Sequence, residues 1–203
     1  FIESEYAHDY MKLCDDWRAD PKRHGVIGGG CHAVDLLRWL AGDPIEVFAY
    51  GTHKLLPMVS YDDATIAIMK FSENLMGKVF VSTGCKRDYT MRTCLYGTKG
   101  TIICDNTSPT ITIYRHVETP EGRHTYPDEQ IEVNIANHNV TAEILDMCRA
   151  IIDDTDPLCD VYEGAATVAI AMTLAELFSL ALSLLQYIFD KSGRRGGKER
   201  HLL

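Results

Sequence analysis

Short runs of alternating apolar and polar residues fill the first two thirds of the chain, and helical spacing takes over towards its end. Residues 2–6 alternate and read as a strand. Residues 8–20 are polar and loop-like, and 21–30 form a glycine-rich turn region. Residues 32–41 then predict an amphipathic helix with Val34, Leu36, Leu37, Leu40 and Ala41 as its apolar stripe. Gly42-Asp43-Pro44 stops it, as glycine and proline do just past a helix end.

A series of strands follows at 45–51, 63–71, 77–83, 90–96, 101–104, 110–116 and 130–135. Ser72-Glu73-Asn74 makes 63–83 a hairpin, Gly97-Thr98-Lys99-Gly100 forms a second tight turn, and 117–129 is a mobile polar loop. A helix is expected over 140–153, with Ile144, Leu145, Met147, Cys148, Ile151 and Ile152 apolar, and a long core helix over 162–189. Strands joined by short turns run antiparallel. The fold class is therefore α+β: an open, mostly antiparallel sheet with helices packed on one face. The domain expectation is one unit over 1–190 and a disordered tail over 191–203.

Composition narrows the function classes. The chain has 203 residues, 46% hydrophobic and 24% charged, as in an ordinary globular protein. Its net charge of −9 and pI near 5.3 argue against a nucleic-acid or anionic-membrane partner. The apolar stretch 163–189 carries Glu163, Glu176 and Gln186, which favours a core helix over a membrane span. Seven scattered cysteines without a C-x-x-C pair read as reduced thiols of a cytoplasmic protein. Residues 1–6 lack the basic start and apolar run of a signal peptide and read as the middle of a strand, so the chain is expected to begin inside a longer protein.

No G-x-G-x-x-G follows a strand, no Walker A pattern occurs, and the histidines are too dispersed for a metal site. His32, after the run Gly28-Gly29-Gly30-Cys31, is the catalytic candidate: at a helix start it acts as general acid or base near neutral pH, or it caps the helix. Asp35, one turn on, either orients its ring or favours the positive helix end. His8 follows a strand that carries Glu3 and Glu5, a common place for a pocket residue. Trp17-Arg18 joins a flat apolar surface to a fixed cation, suited to a sugar or a carboxylate, or else a surface packing pair. Arg87 and Tyr89, in Lys86-Arg87-Asp88-Tyr89, sit at a pocket rim or a solvated turn. His138 reads as a neighbour of a helix cap.

In order along the chain, Glu5-Tyr6-Ala7-His8-Asp9, Trp17-Arg18-Ala19-Asp20-Pro21, Gly28–Gly30, His32-Ala33-Val34-Asp35, Trp39-Leu40-Ala41-Gly42, Tyr96-Gly97-Thr98-Lys99-Gly100 and Glu163-Gly164-Ala165 resemble the C-terminal, substrate-side domain of Gfo/Idh/MocA oxidoreductases. The likeness runs over about 2–180. It implies the open sheet of glucose-fructose oxidoreductase, with the exposed face packed on another subunit in a homo-oligomer. It further implies a sugar, polyol or similar alcohol as substrate, and NAD or NADP on an N-terminal Rossmann domain that this chain does not include. His32 would then lie beside the reacting hydroxyl. Many members carry an aspartate four residues before this histidine, where the chain has Gly28, so the proton relay can differ. Two alternatives stand beside this reading: a non-catalytic ligand-binding or dimerisation module, and an enzyme of nicotinamide-dependent glycoside cleavage.

Overall fold

The structure is a computed structural model. It describes residues 1–115, 129–135 and 140–192, with residue 16 and residues 178–192 in backbone only. Of the loop expected over 117–129, residues 117–128 lie outside the described residues and Glu129 opens a strand; His138 and residues 193–203 of the expected tail also lie outside them, while residues 191 and 192 end a helix.

Eight strands form one sheet: β1 (Ile2–Ala7), β2 (Glu46–Thr52), β3 (Ala64–Ser72), β4 (Leu75–Ser82), β5 (Thr90–Gly97), β6 (Gly100–Asp105), β7 (Thr110–Arg115) and β8 (Glu129–Glu132), in the order β2-β3-β4-β1-β5-β6-β7-β8. Each expected hairpin forms, and every pairing is antiparallel except β1 with β4. That parallel pair puts β1 at the centre of the sheet. It needs a long crossover between its partners, and here the crossover contains the helix over β1. The fold class is α+β as expected.

The glycine run departs from the expected turn. Val26–Gly30 is a wide helical turn that leads into α1 (Cys31–Ala41), so α1 has no free N-terminus at His32 and no side chain caps it. An added Cβ at Gly29 would collide with the Tyr6 ring and the Tyr10 hydroxyl, and one at Gly30 with Val81. The run is therefore a packing device that lets this turn lie flat on β1 and β4. Gly42, at φ +80°, ends α1 and gives its N–H to Arg38 O at 2.7 Å.

The face that α1 buries also differs from the expected stripe. Ala33, Val34 and Leu37 are buried with Arg38, while Leu40 is exposed and Leu36 only partly covered. Arg38 can be buried because its guanidinium is fully engaged. It donates to Asp43 Oδ1 (2.7 Å), Thr167 Oγ1 (2.8 Å), Glu163 O (3.0 Å) and Glu163 Oε2 (3.0 Å), which ties α1 to α3 (Val161–Ser192). The Glu163-Gly164-Ala165 motif is thereby a structural anchor. Asp35 bonds Thr167 and lies 3.8 Å from Arg38, so it serves this junction and does not orient His32. α2 (Val140–Asp153) has the expected bounds, yet of its residues only Ala150 is buried.

The core lies between α1, α3 and the β2-β3-β4-β1 half of the sheet, around Val34, Leu37, Leu56, Met69, Val79 and Val81. No helix among the described residues is long and apolar enough to cross a membrane.

The turn before the glycine run carries a titratable core group. His24 has φ +46°, its Nδ1 accepts the Val26 N–H (3.2 Å), and its Nε2 faces Asp62 Oδ2 at 3.7 Å. Burial holds its imidazole below the ordinary value of 6.5, against the pull of Asp62. The unfolded chain then binds the extra proton, so stability is complete above about pH 6.5 and falls as pH drops below it. Urea unfolding from pH 7.5 to 5 is expected to show this loss, at up to about 1.4 kcal/mol per pH unit for each such histidine. His24→Asn, which tolerates the left-handed backbone, is expected to flatten the slope.

Candidate active site

Period-two geometry sends Tyr6, His8 and Tyr10 to one face where β1 runs out. Backbone bonds from His8 N to Ser82 O and from Tyr10 N to Thr83 O, each 2.8 Å, keep the chain extended along β4 past the end of β1. One step beyond the last registered pair, Ala7 with Thr90, His8 meets Tyr89 with ring centroids 5.2 Å apart. From α1, His32 stacks on Tyr6 at 6.0 Å and 28°. Tyr6 with Tyr89 (5.5 Å) and His8 with Tyr10 (5.0 Å) complete an aromatic cluster.

Beside the cluster opens a cavity of about 500 Å³, within the usual range for small-ligand sites. Tyr89 belongs to both, and Leu36, one helical turn after His32, lines the cavity with Met91, Thr93, Cys104 and Asn106. Asn106 fixes this wall: its Oδ1 accepts the Met91 N–H (2.7 Å) and its Nδ2 donates to Tyr89 O (3.2 Å).

The protonation states suit proton transfer from a neutral alcohol. Burial and the 2.8 Å bond to Tyr10 push the Tyr6 phenol far up, so it stays protonated. Burial holds the His8 imidazole below its ordinary value; Asp9 pulls it up and Arg18 pushes it further down. His8 is thus a neutral acceptor at pH 7. Burial raises the Cys31 thiol, which is then no nucleophile. His32 is exposed, and among the described residues its ring nitrogens have no hydrogen-bond partner.

Of the residues expected at the site, His32, His8 and Tyr89 come together in this cluster, and Arg18 lies close enough for its charge to act on His8. Trp17 is exposed, with Arg18 stacked on its ring at 4.4 Å. Arg87 goes elsewhere: it bonds Glu5 Oε1 (3.2 Å), whose side chain leaves β1 on the face opposite Tyr6. Tyr6, Tyr10, Leu36 and Asn106 were not anticipated. The 6-8-10 alternation could have disclosed the two tyrosines; nothing local marks Asn106.

The glycines do not fit a dinucleotide's phosphates. Their close approaches are spent on Tyr6, Tyr10 and Val81, and the N–H groups of this turn open no cradle at a helix start.

A family profile described as GFO/IDH/MocA C-terminal domain matches residues 1–103. No curated protein matches the sequence. Among solved structures, the chain is similar to UDP-N-acetylglucosamine 3-dehydrogenase GnnA from Acidithiobacillus ferrooxidans (21% identity, TM-score 0.68, 87% of this chain and 53% of that one). It is also similar to an NAD binding oxidoreductase from Klebsiella pneumoniae (15%, TM-score 0.73, 89% and 57%). A third is the apo form of levoglucosan dehydrogenase (15%, TM-score 0.74, 88% and 56%). The chain thus spans little more than half of each of these proteins, and at such identities the likeness speaks for the fold. The family profile, matching half of the chain, and the order of motifs along it agree: the chain belongs to the GFO/IDH/MocA family and has the fold of its C-terminal domain.

Proposed function

We propose that this chain forms the substrate side of an NAD(P)-dependent oxidoreductase that oxidises a hydroxyl of a sugar, polyol or similar alcohol. The observation that carries this reading is the exposed, unbonded His32 ring stacked on Tyr6, beside neutral His8 and the cavity under Tyr89. The likeness to UDP-N-acetylglucosamine 3-dehydrogenase and to levoglucosan dehydrogenase supports it. Family membership implies NAD or NADP as oxidant. This chain's residues do not fit its phosphates, which supports a reading in which a separate Rossmann domain holds the cofactor.

What this chain contributes is binding and proton transfer. Tyr89 and the cavity wall offer flat and apolar surface to a sugar ring, and Arg18, whose charge reaches His8, brings a cation to its neighbourhood. His32 takes the hydroxyl proton as the alcohol is oxidised. Tyr6 holds the imidazole in place by stacking on its ring. The test is reduction of NAD or NADP by the full-length protein over a panel of sugars and polyols. Formation of reduced cofactor with at least one is expected; binding without any reduction favours a non-catalytic module.

The outer sheet face, opposite α1, carries exposed Phe48, Tyr50, Ile66 and Ile68 side by side, with Phe48 and Tyr50 edge to face at 4.9 Å. An apolar patch of this kind calls for a cover, and we place a second copy of the chain there. Sedimentation at low concentration gives a dimer or larger species on this reading and monomer otherwise. The seven unpaired thiols support a reducing, cytoplasmic setting.

A further inference from the structure

We infer that the substrate is anionic: a sugar bearing a carboxylate or phosphate that Arg18 and Arg23 clamp at the rim of the His8–His32 cluster. This rests on the sugar-alcohol reading above and narrows its substrate class.

Both guanidinium carbons lie over the Trp17 ring, Arg23 at 3.9 Å and Arg18 at 4.4 Å. Contact with the ring limits the freedom of each guanidinium, a planar fork suited to taking a carboxylate or phosphate in two bonds. Trp17 sits in a single 3₁₀ turn, Asp16–Ala19, whose backbone is pinned by the Tyr61 hydroxyl donating to Arg18 O (2.7 Å). Arg23 is fixed at its other end, where its Nη2 donates to Gly28 O at 2.9 Å.

Gly28 lies four residues before His32, and a Cβ there would strike the Arg23 guanidinium. The absent side chain is what lets a cation occupy this place. Its charge acts on the Cys31 thiol next to His32, as that of Arg18 acts on His8, so both cations border the cluster.

Neither arginine pairs with a carboxylate among the described side chains, although the chain carries a net charge of −9. Of the acids nearby, Asp20 Oδ1 accepts the Lys22 N–H, Asp9 takes the Met11 N–H and Lys86, and Asp62 faces His24, while Asp15 forms no ion pair with either arginine among the described side chains. Arg18 makes no side-chain hydrogen bond among the described residues, and Arg23 makes that one to Gly28. Two oriented guanidinium groups thus keep most of their donors for a ligand.

The experiment is calorimetric titration of the full-length protein, without cofactor, with glucose, glucuronate and glucose 6-phosphate. It is repeated on Arg23→Gln and Arg18→Gln, with thermal melts to verify that each variant is folded. One of the two anionic sugars is expected to bind at least about tenfold tighter than glucose. The better of the two tells carboxylate from phosphate. The preference is expected to collapse towards unity in either variant, and in the wild-type protein to shrink as salt rises.

Equal binding of all three sugars overturns the inference, as does a preference that survives both substitutions. Glucose binding alone, with turnover of neutral sugars, overturns it and leaves the oxidoreductase reading standing. Absence of both binding and turnover overturns the two together.

Discussion

Replacing Asp63 by alanine is expected to cost about 3–5 kcal/mol of folding stability, from the number of donors it strands. Asp63 is fully buried at the mouth of β3, and its Oδ2 accepts three successive backbone N–H groups: Lys54 (3.0 Å), Leu55 (2.6 Å) and Leu56 (2.7 Å). Its own backbone joins the Thr52 carbonyl and the Thr83 N–H, so one residue stitches β2, β3 and the end of β4. Alanine leaves three N–H groups in a segment that packs Leu56 and Val59 into the core. The orphaned Leu56 N–H is buried and costs roughly 1–3 kcal/mol, the half-buried Lys54 and Leu55 groups cost less each, and loss of the packing they hold makes up the rest. Asparagine keeps one oxygen acceptor and is expected to lose less than half as much. Chemical denaturation of the three proteins measures both. The same loop presents Tyr61, whose hydroxyl holds Arg18 O, so substrate affinity is expected to fall in the alanine variant even where it stays folded.

The second large effect concerns chemistry. His32→Ala is expected to lower the turnover of the full-length protein by about 10²-fold or more, the usual scale for a positioned acid–base group. His32 has neither the capping role nor the Asp35 partner that its sequence position suggested, because the turn at Val26–Gly30 continues the helix upstream and Asp35 is held by Thr167. Among the described residues its ring stacks on Tyr6 and its nitrogens make no hydrogen bond, and the residue is exposed. A residue in that state has little structural work to lose, so the variant is expected to unfold within about 0.5 kcal/mol of the parent, as exposed substitutions do. Turnover lost with stability intact is the signature; both unchanged would remove His32 from the reaction.

Local patterning was enough for the hairpins, the bounds of α2 and the end of α1, because each is set by residues a few positions apart. What escaped it is set across long separations. The parallel pairing of β1 with β4 joins segments some seventy positions apart, with nothing in either to announce a register. Leu36 and Leu40 fit the apolar stripe of α1 better than Arg38 does. Arg38 is buried in their place because Asp43, Glu163 and Thr167 surround it, and two of those stand on α3. That His8, Tyr89 and His32 come together follows in part from local pattern, the first two as neighbours at strand ends and the third as an exposed histidine early in α1. Arg87 was misplaced because a loop residue's side is fixed by its partner, here Glu5 on the far face. The glycine run looked like a flexible turn; its role came into view only with Tyr6, Tyr10 and Val81 in place against it.

On the proposed function, a sugar docks at the aromatic cluster with a hydroxyl at His32. A crystal structure of the full-length protein with a bound substrate tests it most directly. The sugar ring is expected against Tyr89 and His8, with one hydroxyl oxygen within about 3 Å of a His32 ring nitrogen, the reach of proton transfer. A sugar seated away from Tyr6, His8 and Tyr89, with His32 out of contact, would contradict it.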